Sequence, residues 1–346
     1  MSLPHRVSGA GRAGHAFRPL RSLSPIAVAL LLLAGCGAQQ VPPSAAGPSP
    51  ASGSVAGFPV TVADCGVTAT YQGPPRRAVS LNQHATEIML ALGLEKSMVG
   101  TAYLDDSILP EYKAAYDGVK VLAEDYPSYE ALLSAEPDFV YGGFASAFDE
   151  KEGRGRDALM KAGIGTYLNT EGCTEGPVTT AQVDEEVRNI GKIFGVSDRA
   201  DRQITAMHDV LDDVRVKIDG VDPVTVFVYD SGDKTAFTAG GAGIGNEMIK
   251  LAAGTNVFAD LGKAFGDVSF EQVAERAPDA IVIYDYGDES VEQKKAFLLG
   301  NPALKDVPAI KNRRFAVLPL SSTVLGVRVP VGVRSLAQQL HPDRFA

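Results

Sequence analysis

From residue 76 onward the chain switches between two hydrophobic periods. Residues 78–81, 98–102, 139–141 and 164–168 are short apolar runs bounded by turn residues, which predicts buried strands. Between them, residues 86–92 carry a helical pattern that Gly93 stops. Strand–helix alternation of this kind predicts an α/β domain with a largely parallel sheet. The period then changes. Val183, Val187, Ile190 and Phe194 recur at helical spacing, and after Gly195, where Ser197 can cap a second segment, Ile204, Met207, Leu211, Val214 and Ile218 continue it. The spacing predicts nearly continuous helix over 181–220, ended by Gly220 and Pro223. Strands resume at 224–229, 280–284 and 315–318.

The two halves echo each other. Residues 130–141 (EALLSAEPDFVY) and 271–282 (EQVAERAPDAIV) each read as a short amphipathic helix, a Pro-Asp break and a buried strand. A match at corresponding places indicates a duplicated architecture. The predicted organisation is an N-terminal lobe over 59–180, a connecting helix over 181–220 and a C-terminal lobe over 221–346, two Rossmann-like α/β lobes with a cleft between them suited to small-molecule capture.

Residues 1–35 read as an address. Arg6, Arg12, Arg18 and Arg21 precede the apolar run 26–33, and Leu33-Ala34-Gly35-Cys36 resembles a bacterial lipobox, in which the cysteine becomes the acylated first residue. The run is shorter than the roughly 18 residues of a membrane span. Residues 36–58, rich in Gly, Ala, Pro and Ser, predict a flexible tether. Cleavage before Cys36 leaves 28 basic residues against 42 acidic ones, a net charge of −14. That balance argues against a nucleic-acid partner. Beyond Cys36 only Cys65 and Cys173 remain, an even pair that predicts a disulfide in an exported protein.

The sequence offers no reactive constellation of the common kinds: no G-x-S-x-G elbow, Walker A or H-E-x-x-H. Residues 241–246 (GAGIGN) resemble a dinucleotide turn but read better as a glycine turn bringing a helix close to a strand, with N–H groups free to meet an anion. His84 and Glu87, one turn apart, are too few for a metal site, since His208 and His341 lie elsewhere. His84 reads as a loop residue facing the cleft and Glu87 as an acid at a helix start. In α/β lobes the loops after strands carry ligand contacts. These loops nominate Asn82, Gln83, His84, Tyr103, Asp125, Tyr126 and Phe144 in the first lobe, and Tyr229, Ser231, Tyr286, Ser322 and Arg328 in the second. Aromatic faces with hydroxyl and amide groups suit a bulky, partly apolar, polyoxygenated ligand. No catalytic residue, resident metal or cofactor is assigned.

With the residues of 77–87 (RAVSLNQHATE), Pro137-Asp138-Phe139-Val140, the helical strut, Pro278-Asp279-Ala280-Ile281-Val282 and Val317-Leu318-Pro319-Leu320, the chain from about 76 to 344 resembles a substrate-binding lipoprotein of an ABC importer, in the iron-siderophore and vitamin B12 class. The resemblance implies two α/β lobes joined by a single long helix and a solute in the cleft: an iron complex of siderophore type, or alternatively a corrinoid, haem or similar cofactor-like solute. It implies a monomer without enzymatic activity, held outside the cytoplasmic membrane of a bacterium by lipid on Cys36. Its partners would be a permease dimer with its ATPase. In that class one acid on each lobe meets basic permease residues, and Glu150 and Glu289, which follow the two Pro-Asp strands at similar distances, are the corresponding choices. A rigid helical strut further implies small opening and closing motions.

Overall fold

The computed structural model describes residues 55–346. The leader, Cys36 and most of the tether lie outside the described residues. The chain order is β1 (Val60–Asp64), β2 (Val67–Tyr71), β3 (Ala78–Leu81), α1 (Gln83–Ala91), β4 (Met98–Ala102), α2 (Lys113–Tyr116), β5 (Val121–Ala123), α3 (Tyr129–Ser134), β6 (Phe139–Gly142), α4 (Arg156–Lys161), β7 (Gly165–Leu168), α5 (Thr180–Ile193) and α6 (Ser197–Lys217). It continues through β8 (Val224–Tyr229), β9 (Ala236–Ala239), α7 (Ile244–Leu251), β10 (Gly254–Asn256), β11 (Phe265–Val268), α8 (Phe270–Arg276), β12 (Ala280–Asp285), α9 (Val291–Gly300), α10 (Pro308–Lys311), β13 (Phe315–Pro319) and α11 (Val329–Leu340).

The first lobe is built on a parallel sheet of order β5-β4-β3-β6-β7, the second on a parallel sheet of order β10-β8-β12-β13. Every residue of β3 and β6 is buried, as the continuous apolar runs require of strands covered on both faces. Strand order reverses between β3 and β6 in one lobe and between β8 and β12 in the other. At these switch points the strand ends splay their loops apart and leave a crevice. The antiparallel hairpin β1–β2 guards the β7 edge: Asp64 accepts from Leu168 N at 2.6 Å and pairs with Arg156 at 2.8 Å, and Tyr71 donates to Thr166 O at 3.2 Å. A Cys65–Cys173 disulfide joins the hairpin turn to the loop after β7.

The internal echo extends to backbone detail. Ser128 caps α3 and Ser269 caps α8, and each helix ends through a left-handed residue, Glu136 (φ 48°) or Ala277 (φ 45°), immediately before the proline. The aspartate that follows ties the start of β6 or β12 to its neighbour. Asp138 accepts from Arg76 N and Arg77 N at 2.8 and 2.9 Å, and Asp279 accepts from the Thr225 hydroxyl at 2.7 Å.

The helix predicted over 181–220 is two helices. Gly195, at φ 67°, turns the chain between α5 and α6, and Gly191 lets Ala200 pack against the bare α5 backbone. The pair folds back on itself, so that His208 reaches Asp184 at 2.8 Å. Ser197 is the first residue of α6 rather than its cap, a place taken by Val196. α5 therefore packs with the first lobe, against β1 and α1, and the strut is α6 alone, 21 residues and about 31 Å long. Arg199 fixes its start to the carbonyls of Leu92 and Gly93, both at 3.0 Å, and Arg344 holds its last turn through Lys217 O at 2.8 Å.

Candidate functional site

Asn82 and Gly143 leave the first sheet at its switch point, directly after β3 and β6. Asn82 is buried at φ 80°, a backbone conformation that costs a non-glycine residue roughly 1–3 kcal/mol. Its side chain repays this locally, because Oδ1 accepts from the Tyr126 hydroxyl at 3.0 Å and from Phe144 N at 3.2 Å. Tyr126 also bonds Ser146 Oγ at 2.9 Å and stacks on Tyr103 with ring centroids 4.5 Å apart. His84 is not a loop residue: it stands in the first turn of α1 and is 3% exposed. Its ring tilts against Phe144 at 4.7 Å. Glycines flank it on both sides. A Cβ on Gly143 would overlap the His84 ring, and one on Gly326 of the other lobe would press on His84 Cβ at 3.1 Å. Burial pulls the His84 pKa down to about 4, a hydrogen bond with the Gly143 backbone working the other way, so the imidazole is neutral. Asn82 Nδ2 and His84 Nδ1 are buried without a partner.

The equivalent place in the second lobe, after β8 and β12, holds Asp230, Ser231 and Tyr286. Asp230 Oδ1 accepts from the Tyr286 hydroxyl at 2.5 Å and from Ser231 Oγ at 2.9 Å. Lys294, 2% exposed, donates to the carbonyls of Asp230 and Tyr284, both at 2.7 Å, and fixes the two strand ends from below.

Between the lobes lies a cavity of about 250 Å³. The first lobe contributes Gly143–Ala145 and the loop after β7, with Asn169, Glu171 and Cys173, and the second contributes Ala264, Phe265 and Val324. Its walls are mainly apolar. Glu171 crosses to the second lobe, accepting from Ile244 N at 3.1 Å and Leu325 N at 2.8 Å. Loss of water raises its pKa, against the pull of those two N–H groups. The N–H at the start of α7, which the glycine turn leaves open, is thus met by the protein's own carboxylate.

A second seam closes the lobes behind the cavity. Arg328 donates Nε and Nη2 to the Glu87 carboxylate, both at 2.5 Å, and further to Ser107 O at 2.6 Å and Ser321 Oγ at 2.9 Å. Gln83 spends its amide on Asp106 and Ser107, while Asp106 also accepts from Ser321. Glu87 is therefore a buried partner across the interface and not a free acid at a helix start. Removing one member of such a pair costs about 3–5 kcal/mol, because the other is left charged and dry.

The structure thus gathers Asn82, His84, Tyr103, Tyr126 and Phe144 around one crevice and Ser231 with Tyr286 around the other. Gln83 and Arg328 are consumed in the inter-lobe seam. Tyr229 is buried with its hydroxyl on Gly232 O at 2.9 Å, Ser322 packs at 7% exposure beside Gly332, and Asp125 is on the surface. Asn169 and Glu171 went unnamed, although they follow the predicted strand 164–168 and the strand-end rule reaches them. Phe265 and Val324 carry no such signal, since only the tertiary fold brings them to the cavity. Among the described residues no group of three or more His, Cys, Asp or Glu could hold a metal ion, and no helix is long and apolar enough to cross a membrane.

Residues 79–321 match the family described as periplasmic binding protein. The chain is 28% identical to the uncharacterized ABC transporter substrate-binding lipoprotein YvrC of Bacillus subtilis (strain 168), over 92% of this chain and 96% of the relative. It is 27% identical to the vitamin B12-binding protein of Vibrio campbellii (strain ATCC BAA-1116), over 60% of this chain and 70% of the relative. Among solved structures, a periplasmic binding protein from Veillonella parvula dsm 2008 superposes with a TM-score of 0.75 at 31% identity, covering 82% of this chain and 97% of that one.

Proposed function

Because the chain belongs to the periplasmic binding protein family, as a binding protein rather than an enzyme, we propose that it is the solute-binding component of an ABC import system and that its solute is an iron complex of siderophore type held between the lobes. The observation that carries this reading is the cavity walled by both lobes at the foot of the first switch point. A bulky chelate presents apolar ligand backbone, which matches Phe144, Phe265 and Val324 in the cavity wall, and oxygen atoms, for which Tyr103 and Tyr126 stand in the adjoining crevice. A corrinoid is the second reading, favoured by the vitamin B12-binding relative.

Delivery requires a place for the permease. Glu150 and Glu289 are both exposed and form no ion pair among the described residues. They follow β6 and β12, the corresponding strands of the two lobes, one acid on each lobe. Two separated carboxylates orient a docking partner and raise its encounter rate more than they add affinity. Lipid on Cys36 would keep the protein at the membrane it serves.

The test of the function is native mass spectrometry of protein purified from its source. One intact metal chelate per chain, released unchanged on denaturation, is expected. A chelate recovered chemically altered, or protein that takes up none from a mixture of ferric siderophores and corrinoids, would overturn the reading.

A further inference from the structure

We propose that the cleft selects by charge, accepting an uncharged or cationic metal chelate with an apolar shell and rejecting polyanionic chelates. This deepens the solute-binding reading and rests on it. Among the residues lining the cavity the one charged side chain is Glu171, a carboxylate.

Of the cations nearest the cavity, Arg328 and Lys294 are committed to the protein's own groups, Arg154 keeps a buried Nε without a partner, and Lys263, beside the lining Ala264, is exposed and outside the lining. Arg328 is saturated by Glu87, Ser107 and Ser321. Lys294 points its ammonium at two carbonyls beneath the second switch point and lies 4.7 Å from the Tyr286 ring centroid. Arg154 is 5% exposed, donates to Pro127 O at 2.9 Å and lies over the Tyr126 ring at 5.3 Å. None of the three lines the cavity.

The loops after the strands add negative charge around the cleft. Asp105, Asp125, Asp149 and Glu150 in the first lobe and Asp233, Asp288 and Glu289 in the second lie in these loops, against Lys151 and Lys234. Asp105 already feels the crowding: burial and then the neighbouring Asp106 push its pKa up to about 6. Of the buried polar atoms without a partner in the first lobe, Asn82 Nδ2 and His84 Nδ1 belong to neutral groups and Arg154 Nε to a guanidinium outside the cavity lining. An anion entering here loses its water, meets no cation in the lining and faces a fixed carboxylate, an arrangement that opposes binding. A neutral or cationic chelate buries apolar surface without that opposition.

The chain contains no Trp, so binding is read by quenching of tyrosine emission, to which Tyr103 and Tyr126 contribute. The probes are a ferric trihydroxamate bearing one positive charge, a neutral ferric trihydroxamate, cyanocobalamin, a trianionic ferric tris-catecholate and haem with its two carboxylates. At least one of the first three should bind at least about 100-fold more tightly than either anionic probe, with the gap narrowing as salt rises. Ala145→Lys, which places a cation at an exposed lining position, should tighten the tris-catecholate by about 10-fold. An anionic probe that binds as tightly as the best neutral or cationic one overturns the charge selection while leaving the solute-binding function intact. Binding of none of the five overturns both.

Discussion

His84 and Glu186 put opposite pH dependences into the same lobe. Glu186, wholly buried on α5, accepts from the hydroxyls of Tyr141 (2.5 Å), Tyr167 (3.2 Å) and Thr170 (3.1 Å). Burial outweighs these bonds and raises its pKa from 4.5 to about 7. The folded protein therefore holds this proton more tightly than the unfolded chain does. The resulting stability is complete below pH 4.5 and is lost as pH rises through about 7. For His84 the folded value falls from 6.5 to about 4, so its contribution is complete above pH 6.5 and is lost as pH falls through about 4. Each is worth about 3 kcal/mol over its window, and between pH 4.5 and 6.5 the two nearly cancel. Urea unfolding at pH 7 and pH 4.5 checks this. Relative to the unaltered protein, His84→Asn should gain about 3 kcal/mol more stability on acidification and Glu186→Gln about as much less, while the unaltered protein carries only the shared background of other raised carboxyls such as Asp105. Three parallel pH profiles would contradict the assignment. Neither environment is written in the local sequence. His84 read as a loop residue because two glycines from separate lobes, Gly143 and Gly326, create its enclosure, and Glu186 sits in a run of acids of which Glu185 faces outward and Asp184 pairs with His208.

Element boundaries were legible where one period ran uninterrupted. The strands at 78–81, 98–102 and 224–229 need no adjustment, and those at 139–142, 165–168, 280–285 and 315–319 differ from the pattern by a residue or so. What the pattern could not show is direction. Val183 through Ile218 keeps a helical phase across Gly195, yet the chain reverses there, because a left-handed residue turns the backbone without disturbing the spacing of apolar side chains. The small motion expected of a continuous strut therefore rests on α6 together with the inter-lobe seam. The hairpin β1–β2 is the element with the least core of its own, and its attachment depends on Asp64–Arg156 and the disulfide. The bridge closes a separation of 108 residues, worth up to about 4–5 kcal/mol in the chain-entropy description. Alkylation of unfolded, unreduced protein after removal of the leader should label neither Cys65 nor Cys173, and the Cys65→Ser/Cys173→Ser variant should unfold at lower urea by a comparable free energy. Two labelled thiols before reduction would remove the bridge from the account.

At the scale of the whole molecule, duplication was legible because Pro-Asp breaks recur at matching places, and the cleft followed from the strand-end rule applied to each half. The partners across it were not legible. Glu87 with Arg328, Glu171 with Leu325 and Asn169 with Leu325 O are separated by 241, 154 and 156 positions, and no local pattern couples them. Docking and capture occupy different surfaces in this account. Glu150→Lys/Glu289→Lys should bind an uncharged chelate normally while its uptake in cells collapses, and Cys36→Ser should release the protein from washed membranes with solute binding intact. Normal uptake by the double variant would remove these two acids from the docking role.

The claim on which the rest depends is that solute lies in the inter-lobe cavity and touches both walls. Ala145 and Ala264 face that cavity from opposite lobes without belonging to either buried seam. The most direct measurement is the affinity of Ala145→Trp and, separately, Ala264→Trp for the tightest-binding chelate, with the unfolding temperature recorded alongside. The account predicts that each indole, projecting from a wall the solute touches, weakens binding at least about 100-fold, while the unfolding temperature without solute stays within a few degrees. Unchanged affinity in either variant would contradict it, because solute would then be bound without contacting that wall.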